Sequence, residues 1–163
     1  MKRYVQLLAL FAAIVFTQTA CANSAGAAGG GGISDFSDVR GKDWKLIQVR
    51  AGRNNTIFQR SMLTQESFKD IYTLRFDAER VSGVGYPNRY FAPYDLGEKQ
   101  VIDIKPIAAT LMLAMSEPAQ LRESEFFAYL EKADQWNLVK GNLELRSTND
   151  EGAAVFLVFS LAD

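Results

Sequence analysis

Hydrophobic positions from Asp35 onward recur mostly with period two. Trp44, Leu46 and Gln48 alternate with Lys45, Ile47 and Val49, and apolar residues fall on both faces near the middle, which predicts a strand over Trp44–Arg50. Tyr72, Leu74 and Phe76 alternate with Thr73, Arg75 and Asp77. This one-faced strand leads through the turn Asp77–Arg80 into a second strand at Val81–Val84. Further strands are expected at Val101–Ile104, Ile107–Met112, Trp136–Val139, Leu143–Ser147 and Ala154–Leu161. Lys140-Gly141-Asn142 and Asn149-Asp150-Glu151-Gly152 are turn sequences, so the last three strands read as a meander. Gly52–Asp70 is ambiguous, with Thr56–Gln59 as a strand candidate.

One stretch has helical spacing instead. Phe126, Phe127, Leu130 and Ala133 recur at steps of three and four, Pro118 suits a first turn, and Glu123 and Glu125 precede Lys132 as the helix dipole favours. A helix from about Glu117 to Ala133 follows. About eight strands and one amphipathic helix imply an α+β, mainly β, single domain, in which a curved antiparallel sheet packs on the helix.

The amino terminus has another character. Lys2 and Arg3 precede ten unbroken apolar residues, Leu7–Phe16, about half of the roughly 20 that span a bilayer, so residues 1–20 read as a signal peptide. Thr19-Ala20-Cys21 resembles a lipobox, with Gln18 where an aliphatic residue is usual, and makes Cys21 the expected lipidation site. Ala20-Cys21-Ala22 is also an A-x-A pattern, whose cleavage would leave Asn23 at the N-terminus of a secreted soluble protein. Residues 21–34 hold five glycines and four alanines with no charge, the composition of a tether, and residues 35–163 form the exported domain. The reading is of an envelope protein anchored by lipid in the outer membrane or on the periplasmic face.

Composition then removes whole classes of chemistry. The 163 residues include no histidine and one cysteine, so imidazole bases, His-ligated zinc, thiolate clusters and an intramolecular disulfide are all excluded. Without residues 1–20 the charge is 16 basic against 19 acidic, and with no basic run nucleic acid is an unsuitable partner. No cofactor, metal or catalytic residue is expected. Met112, Met115 and Met62 read as core packing rather than copper ligands. Asp35, Asp38, Asp43, Glu131 and Asp134 read as solvated surface charge, and Asn54-Asn55-Thr56 as an unused glycosylation pattern.

The order of Trp44-Lys45-Leu46, Leu74-Arg75-Phe76-Asp77, Arg80-Val81-Ser82-Gly83, Asn88-Arg89-Tyr90, Ile104–Thr110 with Met112, Glu125-Phe126 with Leu130, and Leu143-Glu144-Leu145 resembles the META domain of HslJ-like bacterial lipoproteins over about Val39–Phe159. The resemblance implies a compact domain of antiparallel strands around a helix, commonly on an envelope lipoprotein and linked in some members to stress tolerance, with no established catalysis. Many members carry cysteines where Pro87 and Ala114 stand here, so a disulfide or redox role does not transfer.

Tyr86–Tyr94 is the densest polar and aromatic cluster. Tyr86, Asn88, Arg89, Tyr90 and Tyr94 combine flat faces, hydroxyl handles and a guanidinium fork, the residue types that dominate recognition surfaces. They are the ligand-binding candidates, for an envelope protein or a small ligand. The alternative is that Asn88 and Arg89 satisfy backbone groups while the tyrosines fill the core, which leaves a ligand-free structural accessory domain.

Overall fold

A computed structural model describes residues 35–52 and 55–162. The signal peptide, the tether, Cys21 and Asn54 lie outside the described residues.

The described residues form ten antiparallel strands: β1 (Asp43–Ala51), β2 (Asn55–Gln59), β3 (Thr73–Phe76), β4 (Arg80–Val84), β5 (Arg89–Leu96), β6 (Ile102–Ile104), β7 (Ala108–Ala109), β8 (Gln135–Val139), β9 (Asn142–Thr148) and β10 (Ala154–Leu161). One helix, α1 (Glu123–Glu131), completes the domain. The strand order is β6-β5-β4-β3-β1-β10-β9-β8, with β2 paired to β1 and β7 to β5. The two ends of this order meet. Trp136 N–H donates to Gln100 O (2.9 Å) and Ile102 N–H to Asp134 O (3.2 Å), so the curved sheet nearly closes into a barrel and loses an exposed edge. The META-like expectation of strands around one helix is met, and β8-β9-β10 is the predicted meander.

The inward positions follow the pleat: Leu74 and Phe76 on β3, Val81 on β4, Tyr90, Ala92 and Tyr94 on β5, Leu143 and Leu145 on β9, and Val155, Leu157 and Phe159 on β10 are all buried. Phe126 and Leu130 of α1 complete the interior. Aromatic rings occupy both ends of β5. Tyr90 stacks on Phe126, and four residues further along Tyr94 and Phe76 stack with Phe36, which also meets Trp136.

Several expectations are corrected. Strict alternation in β1 fails because Leu46 pairs with Phe159 and Gln48 with Val158. The extra residue, Ile47, forms a β-bulge that carries the inward side from Leu46 to Val49. The strand expected over Ile107–Met112 shrinks to Ala108–Ala109, because β5 offers only Tyr90 and Phe91 as partners there before pairing passes to β6. The helix begins at Glu123 rather than Glu117. Arg122 is extended (φ −81°, ψ 157°), and the Glu125 carboxylate accepts its N–H at 2.7 Å, so capping sets the start a full turn beyond Pro118.

Pro87 and Pro93 mark Tyr86–Tyr94 as a loop or sheet edge, yet strand β5 runs through Pro93. Its carbonyl accepts from Lys105 N–H at 2.9 Å, which puts its missing donor on the side where β5 changes partner from β7 to β6, a place where no ladder bond is lost.

The methionine expectation is also overturned. Met62 and Met112 are each 55% exposed and Met115 fully so, and Leu111 and Leu113 are each 97% exposed, because Leu111–Met115 leaves β7 as an irregular solvent-facing loop.

Candidate functional site

The period-two geometry of β5 divides the candidate cluster. Tyr90 and Tyr94 point into the barrel and are buried, whereas Arg89 and Phe91 point outward. Tyr90 Oη donates to Thr73 O (2.9 Å) and Tyr94 Oη to Asp77 O (2.7 Å), so both hydroxyls are engaged with the β3 end of the sheet. Burial pushes the Tyr90 phenol well above its ordinary range, as it does Tyr72, whose phenol is raised further by Glu117, Glu123 and Glu125. Neither can serve as a general base near neutral pH. Gly83 faces Tyr90 across the ladder, and a Cβ there would lie 2.0 Å from Thr73 O and 2.9 Å from the Tyr90 ring. The glycine is what lets the ring cross β4 to reach its acceptor.

Asn88 is buried at a polar junction. Its Nδ2 donates to Glu123 Oε2 (2.6 Å) and Met112 O (3.2 Å), and its Oδ1 accepts from Met112 N–H (2.7 Å) and Thr110 Oγ1 (2.8 Å). Glu123 Oε1 in turn accepts the N–H groups of Tyr86 (2.6 Å) and Asn88 (2.9 Å). Gly85 permits this approach, since a Cβ there would sit 2.5 Å from Glu123 Oε1. Tyr86 is half-buried, its ring edge-on to Phe68, and the Tyr86–Pro87 peptide is cis. The network joins the 86–88 turn, the helix start and the 110–112 segment. Side-chain hydrogen bonds, and not packing alone, hold that junction.

The five candidates therefore do not share one surface: Asn88, Tyr90 and Tyr94 are internal, Tyr86 is half-internal, and Arg89 is external. Arg89 stands beside a hollow of about 380 Å³ over the outer faces of β3, β4 and β5, whose cross-strand row runs Arg75, Ser82, Phe91, Ala108.

Other charged groups serve the fold. Arg60 donates to the carbonyls of Leu46 (2.5 Å), Ile71 (2.6 Å) and Lys69 (3.1 Å), a clamp that sequence reading missed because its three acceptors are backbone groups. Of the carboxylates expected to be solvated, Asp134 pairs with Arg146 through two bonds (2.8 and 2.5 Å), and this holds its carboxyl below the usual range. Asp43 pairs with Arg75, Glu131 accepts Ile107 N–H, and Asp35 caps the turn at Phe36–Asp38. Among the described residues no three His, Cys, Asp or Glu side chains gather where a metal could bind. No helix there is long and apolar enough to cross a membrane.

A family model described as META domain matches residues 37–159. Two solved structures are similar in fold. An NMR structure of a protein from Burkholderia xenovorans has a TM-score of 0.57 at 16% identity and covers 84% of this chain and 94% of its own. A crystal structure of a DUF4847 family protein from Bacteroides vulgatus has a TM-score of 0.53 at 12% identity and covers 77% and 95%. No curated protein matches.

Proposed function

The chain belongs to the META domain family, and from that premise we propose that it is a bacterial envelope lipoprotein, acylated at Cys21, whose domain works without catalysis by contacting an envelope component through its exterior. The observation that carries this reading is the exposed apolar loop Leu111–Met115. Its base is pinned by Asn88 while Leu111, Leu113 and Met115 face solvent. A loop that displays leucine and methionine to water buries none of that apolar surface in its own domain, and such patches mark contact sites. The interior polar groups point the same way: the phenols of Tyr72, Tyr90 and Tyr94 and the amide of Asn88 are committed to internal bonds.

Burial of Tyr90 and Tyr94 favours a second reading, a ligand-free accessory domain for envelope assembly or stress tolerance. The outward Arg89 and the apolar loop argue for contact instead.

Anchorage is tested by labelling cells with radioactive palmitate and partitioning the protein in detergent. The parent chain incorporates label and enters the detergent phase, whereas Cys21→Ser does neither. Equal partitioning of the two would overturn the anchor, and with it the envelope assignment.

A further inference from the structure

The two outward features that internal bonding does not account for lie side by side. One is the hollow over β3, β4 and β5, with Arg75, Arg80 and Arg89 around Ser82 and Phe91. Arg75 is held by Asp43 (3.1 Å) and Asp77 (3.3 Å). Among the described residues Arg80 and Arg89 have no carboxylate oxygen within 4.0 Å, so this face carries excess positive charge on a domain that is acidic as a whole.

The other feature is Leu111–Met115. It leaves β7 just after Thr110, which is tied to Arg89 in both directions: Arg89 N–H donates to Thr110 Oγ1 (3.2 Å) and Thr110 N–H to Arg89 O (3.0 Å). A smaller hollow of about 230 Å³, lined by Arg89, Phe91, Ala108, Ala109 and Thr110, links the two.

A free guanidinium at the base of an apolar loop, with a second on the same sheet face, matches the polarity of a lipid surface, where anionic phosphates overlie acyl chains. We infer that Leu111–Met115, with Arg89 beside its base and Arg80 further along the same sheet face opposite Pro93, docks on an anionic phospholipid bilayer, the arginines at the phosphates and the leucine and methionine side chains at the acyl boundary. The chain length allows it. Fourteen residue steps separate Cys21 from Asp35, at most about 48 Å, while Phe36 stacks on Tyr94, which lies about 13 Å along β5 from Tyr90. An acyl group on Cys21 and the loop can therefore engage one membrane. In this the inference rests on the proposed anchor.

The test uses the full acylated chain carrying Leu113→Trp, with Leu111→Trp as a second probe, reconstituted into vesicles whose acyl chains are brominated. Both native tryptophans, Trp44 and Trp136, are buried and give a constant background. With phosphatidylglycerol present, quenching of the added tryptophan should exceed that in pure phosphatidylcholine by at least about twofold, and Arg80→Glu with Arg89→Glu should remove the difference, as surface electrostatics require. Quenching no greater than in the parent chain, with palmitate incorporated normally, overturns docking and leaves the anchor intact. Equal quenching in both lipids and in the charge-reversed variant overturns the role of the arginines. A tryptophan exposed on vesicles but shielded on native membranes assigns the loop to a protein partner and also overturns the inference. Quenching without palmitate incorporation retires the anchor and keeps the docking surface.

Discussion

Asn88→Ala removes every bond that the Asn88 side chain makes between the 86–88 turn, α1 and the Leu111–Met115 base, and leaves the Glu123 contacts to the Tyr86 and residue-88 N–H groups in place. Four hydrogen bonds are lost, one of them to the Glu123 carboxylate. A neutral bond contributes about 1 kcal/mol net and a charged one about 1.5–3 kcal/mol, and water can replace part of this where Thr110 and Met112 reach the surface, so the expected loss is about 3 kcal/mol. Unfolding entropy near 2.1 cal/mol/K per residue, over roughly 125 ordered residues, converts that to a fall in Tm of about 10 °C. Thermal unfolding followed by circular dichroism gives the Tm, and hydrogen exchange at the Met112 amide reports whether the loop base loosens. Asn88→Asp sharpens the test: it sets a carboxylate against Glu123, should cost more than alanine at neutral pH, and should recover part of the loss as the pH falls into the carboxylate range and one of the pair takes a proton. A Tm within about 2 °C of the parent, with Met112 protection unchanged, would refute the claim that this network holds the junction.

Gly83→Ala should destabilise by about 3 kcal/mol in urea unfolding, because its Cβ would meet Thr73 O and the Tyr90 ring; adding Tyr90→Leu should recover part of the loss, and a neutral Gly83→Ala would contradict the described crossing. The Ser147 hydroxyl is buried with no hydrogen-bond partner, so Ser147→Ala should raise stability by up to about 1 kcal/mol, and a loss of that size would show a missing partner. Burial raises the Tyr72 and Tyr90 phenols in the folded state. Their contribution is therefore complete below pH 10.0, the ordinary phenol value, and is lost as rising pH ionises the unfolded chain first. Urea midpoints should fall above that pH, and less steeply in Tyr72→Phe and Tyr90→Phe; equal slopes would refute the burial argument.

The strands most legible in the sequence were those whose buried residues alternate without a bulge, such as β3, β9 and β10. Where local pattern failed, a tertiary feature decided. The bulge at Ile47 is invisible in β1 alone, because it is defined by the pairing of Leu46 with Phe159 and Gln48 with Val158. Pro93 masked β5 because its harmlessness depends on a change of partner far along the chain. Leu111 and Met112 read as the end of a strand over Ile107–Met112, yet β5 begins at Arg89, opposite Thr110, so no strand partner lies beyond it and these side chains are exposed. The tyrosine and arginine cluster was visible as composition, but which members face inward is set by the register of β5. The Glu123 contact to Asn88 spans 35 residues and left no local signal.

The central claim is a lipid-anchored domain that acts through its exterior, and the mature N-terminus tests it most directly. Mass spectrometry of the N-terminal peptide of protein recovered from bacterial membranes should find it beginning at Cys21 and carrying the mass of acyl chains. An unmodified peptide beginning at Asn23 or later would contradict the claim.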